Sequence, residues 1–137
     1  MPTSRESHNI ERALRAFELL FNERDLVAAA AYWSPEYVQH SALVPPGRDG
    51  LFRLAEGFPP GARYENQLAA AADDFVMLHG RFSGVGERAL IAADILRFGA
   101  DGLFVEHWDV LQDEATEAES ASGRPMFGVT FPEPVDS

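Results

Sequence analysis

The sequence predicts an α+β fold in which helices come first along the chain and an antiparallel sheet follows. Over the first third of the chain, apolar residues recur at helical spacing between charged residues. After Pro59-Pro60-Gly61 the spacing changes to the alternation of strands, with glycine-containing turns between the runs. Because the chain has 137 residues, 46% of them hydrophobic, we expect a single domain over 1–137 with its own core.

Three helices are expected in the first part. Apolar positions at helical spacing define the first, with Ser7 or Asn9 as its capping residue. The second is expected to end at Ser34-Pro35, because proline disfavours helix in the residue before it. A short extended piece, "EYVQH", and the turn cluster "VPPGRDG" separate the second helix from the third. The predicted helices are Ile10–Phe21, Leu26–Trp33 and Leu51–Phe58.

Four strands are expected after the helices, with "SGVGE" and "GADG" as turns between them. The first of these runs is rich in alanine, which also suits a helix. Beyond the last strand the chain becomes acidic and rich in small residues, so 113–137 is predicted to be a partly mobile tail. The predicted strands are Tyr64–Ala72, Phe75–Phe82, Ala89–Phe98 and Leu103–Gln112.

Composition excludes several functional classes. The net charge is −11, from 22 acidic and 11 basic residues, and every basic residue is arginine, so nucleic acid is not expected as a partner. The absence of cysteine excludes disulfides, thiolate nucleophiles and zinc–sulfur sites, and the absence of lysine excludes a Schiff base. The polar start "MPTSRESHNIER" lacks an apolar signal core, and no apolar run approaches the ~18–20 residues that cross a bilayer. We therefore expect a soluble cytoplasmic protein without a membrane partner.

The last predicted strand carries two ionisable residues on one face. Side chains alternate along a strand, so His107 and Asp109 point to the same side of the sheet. Both faces are largely apolar, so one should meet the helices and the other a second subunit. A buried charge is unfavourable unless it is paired, which favours a hollow that holds water or a ligand beside these two residues. The expected faces are Leu103, Val105, His107, Asp109 and Leu111 on one side, and Phe104, Glu106, Trp108 and Val110 on the other.

The preceding strand repeats this pattern, because Asp94 shares a face with aliphatic and aromatic residues. Pairing of the two strands would bring Asp94 close to His107 or Asp109. Three other interpretations remain open. Asp94 forms a surface ion pair with Arg97, or His107 is a purely structural residue, or His40 joins His107 and Asp109 in a two-histidine, one-carboxylate metal set.

Two segments of the sequence resemble a known family. "YVQHSALVPPGRDGL" and "DILRFGADGLFVEHWDVLQ" are similar to motifs of the SnoaL-like branch of the nuclear transport factor 2-like superfamily. The first motif departs from the family pattern at Ser41-Ala42, where Asn-Pro is usual. The resemblance spans about residues 9–112. It implies a cone-shaped fold, in which a strongly curved antiparallel sheet wraps over three helices and encloses a ligand-binding hollow.

The resemblance also implies where ligands and partners bind. The outer face of such sheets commonly forms a homodimer, which would place Phe104, Trp108 and Val110 at the subunit contact. Inside the hollow, a small hydrophobic molecule would contact Trp33, Tyr37, Leu96 and Phe98.

The activity implied is cofactor-free and metal-free acid/base chemistry on a small hydrophobic carbonyl compound, as in cyclases, isomerases or lyases. By motif position, Asp94 is similar to the protonated oxyanion-hole aspartate of ketosteroid isomerase, and His40 occupies the place of that enzyme's base. In this hypothesis Asp94 or Asp109 donates to the forming enolate and His107 orients one of them. The isomerase's oxyanion tyrosine has no counterpart, because the chain reads Arg15-Ala16-Phe17 at that position. The alternatives are a non-catalytic small-molecule-binding or dimeric accessory protein, and epoxide hydrolase or dehydratase chemistry.

Overall fold

A five-stranded sheet with helices packed on one of its faces forms the fold. The computed structural model describes residues 2–134. A π-helical segment, Glu18–Glu23, continues the first helix directly. In chain order the other elements are α1 Ser4–Phe17, α2 Leu26–Ala29, β1 Trp33–Gln39, α3 Gly47–Glu56, β2 Arg63–Ala72, β3 Phe75–Ser83, β4 Leu90–Phe98 and β5 Phe104–Asp113.

The strand order in the sheet is β1-β5-β4-β3-β2. Strands β2 to β5 pair antiparallel, as predicted, whereas β1 pairs parallel to β5. The extended piece foreseen before the turn cluster is therefore an edge strand of the same sheet. Pro35 lies within β1, and an edge strand tolerates proline because one row of its amides needs no partner in the sheet.

The first helix begins earlier than predicted. Thr3 caps it in a capping box: the Thr3 hydroxyl accepts the Glu6 N–H, and the Glu6 carboxylate accepts the Thr3 N–H. Ser7 and Asn9, the predicted caps, lie inside the helix, and Asn9 is buried.

The other two helices differ in their bounds. The second was predicted to reach Trp33 but ends at Ala29, because Trp33 already belongs to β1 and pairs with Phe104 of β5. The third begins at Gly47, directly after Pro45-Pro46, and thus one turn before the predicted start. The two prolines do not interrupt the helix, because both precede its first residue and Pro46 is its N-cap.

The four predicted strands are confirmed to within one residue at each end. The pairing of β4 with β5 contains an irregularity that alternation alone does not reveal. Arg97 is opposite Glu106, but Phe98 is opposite Phe104, so Val105 is an extra residue on β5. Such a β-bulge reverses the face on which the preceding residues lie.

The bulge corrects the prediction for Phe104. That residue was assigned to the outer face with Trp108 and Val110, but it is fully buried and packs against Trp33 and Phe98 in the core. Trp108 and Val110, which follow the bulge, do lie on the outer face, and Val110 is 73% exposed. Phe104 is therefore a core residue, so it does not support a subunit contact.

The segment after β5 lies against the outer face at β3. The buried Glu114 carboxylate accepts hydrogen bonds from Arg81, and the Arg81 guanidinium lies over the Phe127 ring at 4.3 Å. The His79 ring hydrogen-bonds the Met126 carbonyl. The acidic composition did not predict these contacts. Of the segment 113–137 predicted to be a tail, residues 135–137 lie outside the described residues, and its mobility stays a prediction.

Between residues 2 and 134, no helix has both the length and the apolar character required to span a lipid bilayer.

Candidate functional site

A cavity of about 240 Å³ lies between the helices and the inner face of the sheet. Its wall is mainly aliphatic and aromatic, and its polar side chains come from β1, β4 and β5. Leu43, which is 63% exposed, marks its mouth. An apolar pocket with a few polar groups is the usual form of a small-molecule site. The lining residues are Phe17, Phe21, Trp33, Tyr37, Leu43, Val44, Leu51, Leu54, Phe58, Phe82, Val85, Leu90, Asp94, Leu96, His107, Asp109 and Leu111.

A histidine–aspartate pair forms the polar part of this wall. Nε2 of His107 lies 2.7 Å from Oδ1 of Asp94, and both residues are buried. Asp94 and Asp109 are directly opposite each other on β4 and β5. Polar atoms of Asp94, His107 and Asp109 lie within 4.8 Å of one another. The predicted convergence of these three side chains on one cavity is thus what the structure has.

Asp94 does not form the surface ion pair with Arg97 that was one of the interpretations of the sequence. Arg97 was considered as an ion-pair partner of Asp94, but it lies on the outer face and pairs with Glu106. Alternation places Arg97 and Asp94 on opposite faces, since they are three residues apart on one strand.

Gln39 determines which nitrogen of His107 carries a proton. Oε1 of Gln39 accepts the backbone N–H of Ser41 at 3.0 Å, which fixes the orientation of the amide. The same oxygen lies 2.6 Å from Nδ1 of His107. Because an amide oxygen can only accept, Nδ1 carries a hydrogen, and in the neutral ring Nε2 is the lone-pair nitrogen.

The contact between His107 and Asp94 then contains one shared proton. Either Asp94 is protonated and donates to Nε2, or Nε2–H donates to the Asp94 carboxylate. In both forms Oδ2 of Asp94 bears no hydrogen. Oδ2 is buried and has no hydrogen-bond partner in residues 2–134, so it is an unused acceptor of a residue that lines the cavity.

The surroundings favour proton uptake by Asp94. Burial raises the pKa of the Asp94 carboxyl above its ordinary value, the hydrogen bond and charge of His107 oppose that rise, and the charge of Asp109 adds to it. A carboxylate of raised pKa in an apolar cavity is a suitable general base near neutral pH.

Asp109 is the less buried of the two carboxylates, and its side chain has no hydrogen-bond partner within the described part of the chain. Asp94, His107 and Asp109 offer one nitrogen and two carboxylates, a set that divalent cations accept. Asp94 and His107 are also hydrogen-bonded to each other, with Nε2 and Oδ1 2.7 Å apart.

Tyr37 lies next to this pair. Its ring stacks on His107 with centroids 6.4 Å apart, and its hydroxyl accepts the Gln39 amide N–H at 2.9 Å. Burial raises the pKa of the Tyr37 phenol well above its ordinary value, so the hydroxyl keeps its proton.

His40, the predicted base, lies on the other side of the sheet. Gln39 is opposite His107 and faces inward, so His40, the next residue, faces outward. Its Nε2 hydrogen-bonds Glu106 at 2.7 Å, and its ring stacks on Trp108 with centroids 4.8 Å apart. The assignment of His40 as catalytic base is therefore wrong, and so is the metal set that combined it with His107 and Asp109.

Three of the four predicted ligand contacts, Trp33, Tyr37 and Leu96, line the cavity. The prediction for Phe98 is wrong: its ring packs on Phe104 with centroids 4.8 Å apart, at the end of β4 beyond the cavity. Gln39 was missed as a functional residue. Tyr37 and Gln39 lie two residues apart in β1 and so share a face. Gln39 could have been predicted if the inward face of that strand had been known.

Comparisons with known proteins agree with this architecture. The sequence model of a family described as SnoaL-like domain matches residues 13–107. Among curated proteins, none is detectably similar to the chain.

Solved structures of low sequence identity share the fold. A candidate ketosteroid isomerase of Kribbella flavida is 18% identical, covers 96% of each chain and superposes with a TM-score of 0.70. A candidate polyketide cyclase of Bacillus cereus is 19% identical with a TM-score of 0.68, over 81% of this chain and 79% of that one. AclR, a candidate hydroxylase of Streptomyces galilaeus, is 24% identical with a TM-score of 0.67, over 79% and 81% of the two chains.

Proposed function

The chain belongs to the SnoaL-like domain family, and we propose that it is an acid/base enzyme of the isomerase or cyclase type that acts on a small hydrophobic carbonyl compound. The observation that carries the proposal is the buried, unpartnered Oδ2 of Asp94, a residue that lines an apolar cavity and whose carboxylate is paired with His107. Solved structures of this fold that bear the names of candidate isomerases and cyclases support the reaction class.

In the proposed step, Asp94 removes a proton from the carbon next to the carbonyl group. The C–H bond breaks, the proton goes to Oδ2, and the electron pair forms the enolate. His107 then holds its second proton between Nε2 and Oδ1, as an imidazolium whose Nδ1–H donates to Gln39. Return of the proton from Asp94 to a carbon completes an isomerisation. In a ring closure the enolate carbon attacks a second carbonyl carbon, and the oxygen of that carbonyl takes the proton from Asp94.

The neighbouring carboxylate supports this role. Asp109 lies on the cavity wall close to the pair and stabilises the positive charge that His107 acquires. It also discourages an anionic ligand, since no arginine of the described chain lines the cavity.

The size of the cavity limits the ligand. A cavity of about 150 Å³ holds one benzene molecule. A volume of about 240 Å³ therefore accommodates a compound of one to two rings, and larger groups would extend through the mouth at Leu43.

The proposal is tested by deuterium exchange next to the carbonyl of 2-indanone, a small bicyclic ketone, in D₂O. We expect the protein to accelerate the exchange, and excess indane, which has the same skeleton without the oxygen, to block it by occupying the cavity. As the pH falls, exchange should slow when the Asp94–His107 pair takes up a second proton. Because burial raises the pKa of Asp94, this decline should begin above the ordinary aspartate value of 3.8.

Exchange no faster than in buffer, while 2-indanone binds, would favour the non-catalytic binding protein instead. Loss of exchange in EDTA, with recovery on adding a divalent cation, would favour a metal at Asp94, His107 and Asp109. Each result excludes the metal-free mechanism proposed above.

We further propose that two copies of the chain pair through the part of the outer face that the C-terminal segment leaves open. Met77, Ile95 and Trp108 are neighbours across β3, β4 and β5 there, and Phe75 lies beside Trp108 with ring centroids 6.2 Å apart. Met77 and Ile95 are 40% and 39% exposed. The charged residues beside them, Arg97, Glu106 and His40, pair with one another, so the patch is locally balanced in charge.

The substitution Trp108→Arg is expected to convert a dimer to a monomer in sedimentation velocity, because it places a cation at the centre of the patch. Val27→Arg is the matched control: Val27 is 88% exposed on α2, away from the sheet, and its substitution should leave the dimer intact. A wild-type monomer, or a dimer that survives Trp108→Arg, would contradict this proposal.

A further inference from the structure

The hydroxyl of Tyr37 has an unused hydrogen. Tyr37 is 4% exposed and lines the cavity, and its oxygen accepts a hydrogen bond from Nε2 of Gln39. A phenol has one hydrogen to donate. No acceptor for that hydrogen lies within hydrogen-bond distance in the described part of the chain. A buried donor without an acceptor is unfavourable, so the site is incomplete until a ligand supplies one.

Gln39 prevents the alternative orientation of this hydroxyl. If the Gln39 amide were turned around, its oxygen would accept from Tyr37, but the backbone N–H of Ser41 would then face an NH₂ group. This donor on Oε1 keeps Nε2 directed at Tyr37. The phenol hydrogen must therefore point away from Gln39.

We propose that Tyr37 donates its hydroxyl hydrogen to the carbonyl oxygen of the ligand, and that Gln39 is the positioning residue that directs it there. This inference rests on the proposed function, because it assigns the group that binds the oxygen on which the enolate charge develops. Tyr37, the donor, lies on β1, whereas Phe17 of α1 has no hydroxyl group to donate.

The assignment defines the ligand by its chemistry. The cavity presents acceptors on Asp94 and Asp109 and a donor on Tyr37, and the buried indole N–H of Trp33 is a further donor without a partner within residues 2–134. A compact uncharged molecule with a carbonyl oxygen and an acidic C–H beside it satisfies both kinds of group. A carboxylate of similar size would meet Asp109 and no cation.

Binding of 2-indanone and of indane, measured by quenching of tryptophan fluorescence, tests the donor. The wild-type protein should bind the ketone more tightly than the hydrocarbon. Tyr37→Phe should reduce that preference about fivefold, the usual contribution of one uncharged hydrogen bond. Tyr64→Phe is the matched control, since the Tyr64 hydroxyl is buried and accepts from Asn66 but does not line the cavity.

The infrared carbonyl stretch of bound 2-indanone tests the direction of the hydrogen bond. It should lie lower in the wild type than in Tyr37→Phe. Gln39→Glu should raise it as well, although Tyr37 is still present, because the new carboxylate accepts the Tyr37 hydrogen.

An unchanged frequency and an unchanged ketone preference in Tyr37→Phe would overturn the inference, as would no binding of 2-indanone by the wild type. These readouts report binding alone. If they agree with expectation while no deuterium exchange occurs, the proposed activity fails and the assignment of Tyr37 stands.

Discussion

Replacing Asp94 with asparagine is expected to slow the protein-catalysed deuterium exchange of 2-indanone by at least about a hundredfold, the lower range for loss of a general base. Asparagine has nearly the same shape and can still hydrogen-bond Nε2 of His107, but its amide cannot take a proton from carbon. The rate should be measured by the mass increase of the ketone under saturating conditions, so that a change in affinity does not contribute.

Asp113→Asn is the control for this experiment. It removes the same formal charge from an exposed residue at the end of β5, and its exchange rate should equal that of the wild type. Indane binding by Asp94→Asn should also be retained, which would show that the cavity is intact. If Asp94→Asn exchanges the ketone at the wild-type rate, Asp94 is not the base and the mechanism is wrong.

The second large effect is expected for stability. Phe104→Ala should lower the free energy of unfolding by about 3–5 kcal/mol, because it removes a buried ring and leaves a cavity among Trp33 and Phe98. The difference is measured by urea unfolding followed by circular dichroism. It should appear as a lower urea concentration at the unfolding midpoint, with an unchanged slope of the free energy against urea concentration.

Val110→Ala provides the comparison on the same strand. Val110 is 73% exposed, so its truncation should change the free energy of unfolding by less than about 0.5 kcal/mol in a monomeric sample. Equal effects of the two substitutions would contradict the placement of Phe104 in the core and would restore its assignment to the outer face.

The sequence predicted the α+β class, the four later strands and the convergence of Asp94, His107 and Asp109, because these depend on local periodicity. Side chains alternate along β4 and β5, so Asp94 on one strand meets His107 and Asp109 on the other when their ionisable faces lie on the same side of the sheet. Periodicity could not predict the enclosed cavity. That prediction came from the resemblance to SnoaL-like proteins, which the family match confirms.

The errors for Phe104 and His40 have a common physical origin in strand phase. A bulge at Val105 moved Phe104 from the outer face to the core, and a second irregularity, between Trp33 and Val38, occurs where β1 pairs with β5. The inward side of β1 depends on that long-range pairing, so the positions of Gln39 and His40 could not be derived from the local pattern. The motif therefore pointed to His40, whereas its neighbour Gln39 is the residue that contacts His107.

The segment that lies against β3 has a consequence for the boundaries of the protein. The match to the family model ends at residue 107, in the middle of β5, whereas the ion pair of Arg81 with Glu114 and the contacts of Met126 and Phe127 lie beyond it. A chain shortened to the matched region would lose Asp109, half of β5 and the contacts of the C-terminal segment with Arg81 and His79. The contacts that hold the sheet together thus extend beyond the residues that the family model matches.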